Sequence, residues 1–223
     1  MIDPLFLKVG KTHEPPILIM SRGELEKNLS LEERAGGAQK VRLVNYAGTS
    51  FLANNEVSTG YPSEWREWFE RALNSGTIFR FVLTKPDSLA AKDAEKYKMY
   101  PESGTDIDKS TLIRKNQEVI QELVEKYPGI KLSARFTEVA LPYALFETTF
   151  SDSTKNHIKV DLYSPLTQHD LVRPSFMVYQ SKNPLLYRHF TTVINNLEDP
   201  NNSEKVILCF LLKSAYKSYL CCQ

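Results

Sequence analysis

Between residues 129 and 190 the chain reads as four consecutive strands followed by a helix. That run follows an alternation of strands and helices, and the combination points to an α/β domain with a mixed sheet of about six or seven strands and helices on both faces. Ile130, Leu132, Ala134 and Phe136 alternate with Lys131, Ser133, Arg135 and Thr137, the pattern of a half-buried strand. Residues 143–150 and 157–163 then form two runs joined through 152–156. Pairing Phe150 with Ile158 and Phe146 with Leu162 gathers apolar side chains on one face and sets Thr149 beside Lys159 and Glu147 beside Asp161. In that register His157, Lys159, Asp161 and Tyr163 share a polar face, the pattern of a solvated strand surface. Residues 175–179 make a further strand introduced by Arg173-Pro174, and Asn183-Pro184 opens a helix with Leu186, Phe190, Val193, Ile194 and Leu197 on its stripe.

Upstream, a charged helix is expected over residues 24–34, ended by Gly36-Gly37. Residues 40–46 read as a strand. The next helix starts near Pro62 and stops at Gly76, with Trp65, Trp68, Phe69, Ala72 and Leu73 on one face. Residues 78–83 are apolar apart from Arg80, which suits a parallel strand covered on both sides; an arginine there requires a carboxylate, a carbonyl or a ligand phosphate. Ser88 caps a short helix. A longer one over residues 110–127 carries Leu112, Val119, Ile120, Leu123, Val124 and Tyr127. A last helix is expected over residues 203–219. The chain thus divides into an extended lead-in with a short helix (1–39), an α/β domain (40–199) and a terminal helix packed on the domain or on a partner (200–223).

Net charge is +1 over 223 residues, so composition indicates neither nucleic acid nor an anionic membrane as partner. The start of the chain has no basic region ahead of an apolar stretch, and no apolar run reaches membrane-spanning length. Cys209, Cys221 and Cys222 make no metal-ligand spacing and no disulfide framework, which fits a reducing, cytoplasmic setting. No cofactor motif or metal set is present in the pattern, and Ser50, after Gly48-Thr49, lacks the glycine that a nucleophile elbow requires.

The segment Arg173-Pro174-Ser175-Phe176-Met177-Val178-Tyr179, followed by Asn183-Pro184-Leu185-Leu186-Tyr187-Arg188-His189-Phe190, resembles the last strand and closing helix of phospholipase D-like regulatory domains. Ala47-Gly48-Thr49-Ser50-Phe51-Leu52 is similar to the same group, and the element order over residues 40–197 resembles one lobe of that fold. In active members of the family the motif is His-x-Lys-x4-Asp: the histidine attacks phosphorus, the lysine neutralises phosphate charge and the aspartate orients the histidine. Here the strand in that place is Leu141-Pro142-Tyr143-Ala144-Leu145-Phe146, and only the turn acid Asp152 is shared. His157 and Lys159 fall on the following strand, with Ser164 where the motif has aspartate.

The resemblance therefore implies a non-catalytic lobe that senses a small anionic ligand, with Ser50, Arg80, Arg135, His157, Lys159 and Arg173 as its candidate contacts and no assigned catalytic residue. Two alternatives stand beside it. One is a phosphodiesterase or nuclease with a rearranged site that uses His157 and Lys159. The other is an interaction module whose C-terminal helix, with Phe210, Leu211, Tyr216 and Tyr219, docks on a protein partner or a second copy.

Overall fold

A computed structural model describes residues 17–46, 63–96, 109–126, 131–163 and 173–205. In chain order the elements are β1 (Met20–Ser21), α1 (Arg22–Asn28), α2 (Leu31–Ala35), β2 (Lys40–Asn45), α3 (Ser63–Asn74), β3 (Ile78–Thr84), α4 (Leu89–Lys96), α5 (Lys109–Lys126), β4 (Leu132–Thr137), β5 (Tyr143–Thr149), β6 (His157–Leu162), β7 (Pro174–Tyr179), α6 (Pro184–Glu198) and β8 (Glu204–Lys205). The strands form one open, mixed sheet of order β1-β7-β6-β5-β2-β3-β4-β8. β2, β3 and β4 run parallel to their neighbours in that group, and the remaining pairs are antiparallel. The α/β class and mixed sheet expected from the sequence are present, with two of the eight strands only two residues long.

Each face of the sheet carries its own core. Val41, Leu43, Phe79, Phe81, Leu83, Ala134 and Phe146 pack under Leu31, Trp68, Phe69, Leu73, Ile113, Ile120 and Leu123, which come from α2, α3 and α5. Val44, Val82, Leu145, Ile158, Val160 and Val178 pack under Tyr187, Phe190, Ile194 and Leu197 of α6. The near-unbroken apolar run in β3 follows from this double cover, because odd and even residues enter different cores. Phe69 is fully buried, edge-on to Phe79 at 4.7 Å and to Phe81 at 5.8 Å. Gly76 (φ 90°) ends α3 in the left-handed region, where a side chain would be strained.

The sequence reading needs correction in four places. The expected helix over residues 24–34 is two helices, because Ser30 breaks it by capping a new start: its hydroxyl accepts from the Glu33 N–H while Glu33 accepts from the Ser30 N–H. The β5–β6 register pairs Thr148 with His157, Glu147 with Ile158 and Phe146 with Lys159, three residues from the expected one. A 3-10 turn over Ser153–Lys155 closes the hairpin early, and the Asn156 side chain takes the Phe150 N–H at 2.8 Å. Expecting one dry and one wet face was the error, since both faces are covered. Glu204–Lys205 is strand rather than the start of a helix; the remainder of that expected helix, like Ser50 and the side chain of Trp65, lies outside the described residues. The later part of the lead-in is also integral to the domain: β1 pairs with β7, and Leu31, Ala35 and Ala38 enter the core.

Candidate functional site

On β6, Ile158 and Val160 enter the α6 core, so His157, Lys159 and Asp161 point to the opposite face. That face is closed, not solvated: the three residues are 4, 3 and 8% exposed. The cover is α1, which is set in place by a capping box between Ser21 and Glu24 and by the Arg22 N–H donating to the Arg173 carbonyl at 2.7 Å. Tyr163 departs from the expected polar row. It lies past the end of β6 and turns into the other core, 5.4 Å from Tyr46.

Two cations and two carboxylates meet beneath α1. Lys159 Nζ donates to Glu26 Oε1 at 2.7 Å and lies 3.1 Å from Asp161 Oδ2. Arg22 Nε donates to the same Glu26 oxygen at 2.8 Å and stands 3.9 Å from Asp161. Ser175, the β7 residue paired with Asp161, donates its hydroxyl to Asp161 Oδ1 at 2.6 Å. Burial pushes both carboxylates toward protonation, but Lys159 and Arg22 outweigh it and hold Glu26 and Asp161 below their ordinary range. Burial lowers Lys159, with Asp161 opposing the shift. Lys159 and Arg22 balance Glu26 and Asp161, which is how ionised groups tolerate the interior, and the buried Arg34 adds a further cation that acts on both carboxylates.

His157 occupies the same face one pleat away. Its ring lies between Phe150 (6.0 Å) and Tyr179 (5.6 Å). Nδ1–H donates to the Lys155 carbonyl at 2.8 Å, so in the neutral ring Nε2 carries the lone pair. Burial, joined by the nearby Arg34 charge, holds His157 below its usual pKa against that hydrogen bond. Nε2 is buried without a hydrogen-bond partner among the described residues, and so is Oγ1 of Thr148, the residue directly across the ladder.

The other sequence candidates do not join this cluster. Arg80 and Arg135 lie on the α6 face with Val82. Arg80 is half exposed rather than buried, and it meets Glu198 at 3.3 Å, the carboxylate partner that its place in an apolar strand called for. Arg135 donates to the Ser203 hydroxyl at 2.6 Å and carbonyl at 2.8 Å. Arg173 is buried at the far end of β6, with its guanidinium 5.0 Å over the Tyr163 ring. The α6 face has a charge network of its own. Arg42 bonds Glu147 across the β2–β5 ladder, and Glu147 also accepts from Tyr187 at 3.2 Å and Thr191 at 3.1 Å.

Sequence reasoning missed Arg22, Glu26, Thr148 and Ser175. The i, i+4 spacing of Arg22 and Glu26 is a visible signal, but it reads as a surface pair. Nothing local links Glu26 to Lys159. Among the described residues no helix is long and apolar enough to cross a membrane, and no group of three or more His, Cys, Asp or Glu is disposed to hold a metal ion. Comparison with protein-family models and with curated proteins finds no match in either set.

Proposed function

We propose that this domain is a non-catalytic, phospholipase D-like module that senses a small anionic ligand in a regulatory role. The observation that carries the reading is that the β6 face already binds an anionic group. Lys159 and Arg22 hold the Glu26 carboxylate through hydrogen bonds of 2.7 and 2.8 Å, the charge-assisted geometry that cations use for carboxylate and phosphate ligands. The same observation argues against turnover. A nucleophilic histidine must reach phosphorus with a free lysine and an orienting acid beside it. Here His157 is buried and its Nδ1 is committed to a backbone carbonyl, while Lys159 and Asp161 neutralise each other. Of the six candidate contacts, His157 and Lys159 share this face; Arg80 and Arg135 belong to the other one, Arg173 to the far end of β6, and Ser50 lies outside the described residues.

Thermal unfolding with inorganic phosphate, sulfate, sugar phosphates and nucleotides tests the reading. A ligand at a hundredfold excess over its Kd stabilises by about 2.7 kcal/mol, and the shift should disappear in Lys159→Met. If no anion raises the melting temperature of the wild-type protein, the sensing role fails.

A further inference from the structure

We infer that Glu26 is a built-in substitute for the ligand: α1 keeps the β6 anion site shut by placing its own carboxylate on Lys159, and a phosphate-type oxyanion opens the site by displacing it. The inference rests on the anion-sensing reading and adds to it the occupant of the resting site and the class of group that replaces it.

Three observations converge. First, the carboxylate comes from a separate element. Asp161 is fixed on the same strand as Lys159, whereas Glu26 arrives on a helix of seven residues, 133 positions away in the chain. Swinging α1 away would take Glu26 and its helix partner Arg22 together and leave the strand-borne lysine with Asp161. Second, Glu26 satisfies only part of the face. His157 Nε2 and Thr148 Oγ1 lie on the same side of the sheet, one pleat along, buried and without hydrogen-bond partners among the described residues. Residues two apart on a strand are spaced by about 7 Å, and cross-strand neighbours by about 5 Å. Buried polar atoms of this kind ordinarily find a partner. A carboxylate has two oxygens, both acceptors, and it already serves the two cations. Third, the chemistry of the two orphans selects the ligand. Nε2 of the neutral ring accepts a proton donor, and the Thr148 hydroxyl donates to an oxygen acceptor. Inorganic phosphate near neutral pH offers both, since it keeps at least one P–OH to donate to Nε2 and has unprotonated oxygens for Thr148 and Lys159. Sulfate carries no proton there, so it satisfies Lys159 and Thr148 but not Nε2.

The test reads α1 directly and needs no variant. Amide hydrogen exchange over Arg22–Asn28 of the wild-type chain is followed with and without inorganic phosphate at neutral pH, with sulfate at matched ionic strength as the comparison. The expected result is faster exchange in α1 with phosphate, and a smaller effect with sulfate. In parallel, E26Q, which keeps the side-chain shape, should bind phosphate about tenfold more tightly than the wild type, because the closed state no longer competes. Phosphate that stabilises the protein while α1 exchange is unchanged or slowed, with equal affinity in E26Q, overturns the placeholder and leaves the sensing role intact. Phosphate without effect on either protein overturns both. Equal responses to phosphate and sulfate refute the assignment of His157 Nε2 as an acceptor for the ligand's proton.

Discussion

Replacing Lys159 with methionine removes one charge from the quartet under α1 and keeps nearly the same shape. The lost ammonium bonds Glu26 at 2.7 Å and Asp161 at 3.1 Å, and it is 3% exposed, so little water enters to replace it. Breaking a buried ion pair by deleting one partner costs roughly 3–5 kcal/mol when the other charge is left bare. Neither acid is left bare here. Glu26 keeps Arg22 Nε at 2.8 Å, and Asp161 keeps the Ser175 hydroxyl at 2.6 Å. That places the loss at the lower end of the range, about 3 kcal/mol at pH 7.5. Asp161 loses its nearest cation, so it takes up a proton more readily than before. The deficit therefore shrinks as pH falls toward 5. Urea unfolding of both proteins at the two pH values, with the m-value as a check on two-state behaviour, measures it. A loss below about 1 kcal/mol at pH 7.5, the level of a surface pair, refutes the assignment of Lys159 as a buried, paired ammonium. So does a deficit that grows toward acid.

Phe69→Ala should cost about 3–5 kcal/mol, lowering the melting temperature by roughly 10 °C in a chain of this size; a loss under about 1 kcal/mol would mean that α3 is not seated on Phe79 and Phe81. For His157 the folded pKa lies below the ordinary histidine value of 6.5, so as pH drops through that value the unfolded chain binds the proton first. Stability present above pH 6.5 then declines toward the folded pKa, and His157→Gln should flatten this arm in unfolding measured from pH 8 to 5; an unchanged slope counts against a buried neutral ring. Glu26 and Asp161, held below their ordinary values of 4.5 and 3.8, contribute stability that is present above those values and is lost at lower pH, so a second decline should follow and be diminished in E26Q. Purified protein should show no phosphodiester hydrolysis that depends on His157; activity abolished by His157→Ala would restore the enzyme reading.

The sheet was legible because its signals are local. The apolar run from Ile78 to Leu83 marked a strand covered twice, and the Trp68, Phe69 and Leu73 stripe marked the helix above it. Asn183-Pro184 placed the start of α6. The site was less legible for a physical reason. A row such as His157, Lys159, Asp161 looks solvated whenever charge is equated with exposure, and that equation fails once opposite charges neutralise one another in the interior. Lys159 is buried because the Asp161 and Glu26 carboxylates accompany it, and the meeting with Glu26 is made by the fold rather than by spacing. The hairpin register was misjudged for a related reason: it is set by Asn156 and the tight turn before it, and both faces of the β5–β6 pair can take charge because each has its own counterions.

The ends of the sheet bear on how this protein behaves when damaged. β7 is flanked by the two residues of β1, and β4 by the two residues of β8. Such short outer strands, with Pro174 at one border and charged Lys205 at the other, give a foreign strand little to template on. Both caps come from outlying parts of the described chain, so proteolytic trimming before Met20 or after Ser203 has different consequences. The first cut spares β1. The second strips β8 from Arg135 and Phe136 and opens the parallel border of the sheet. Self-association, more than loss of the fold, is then the hazard, and it should grow with protein concentration.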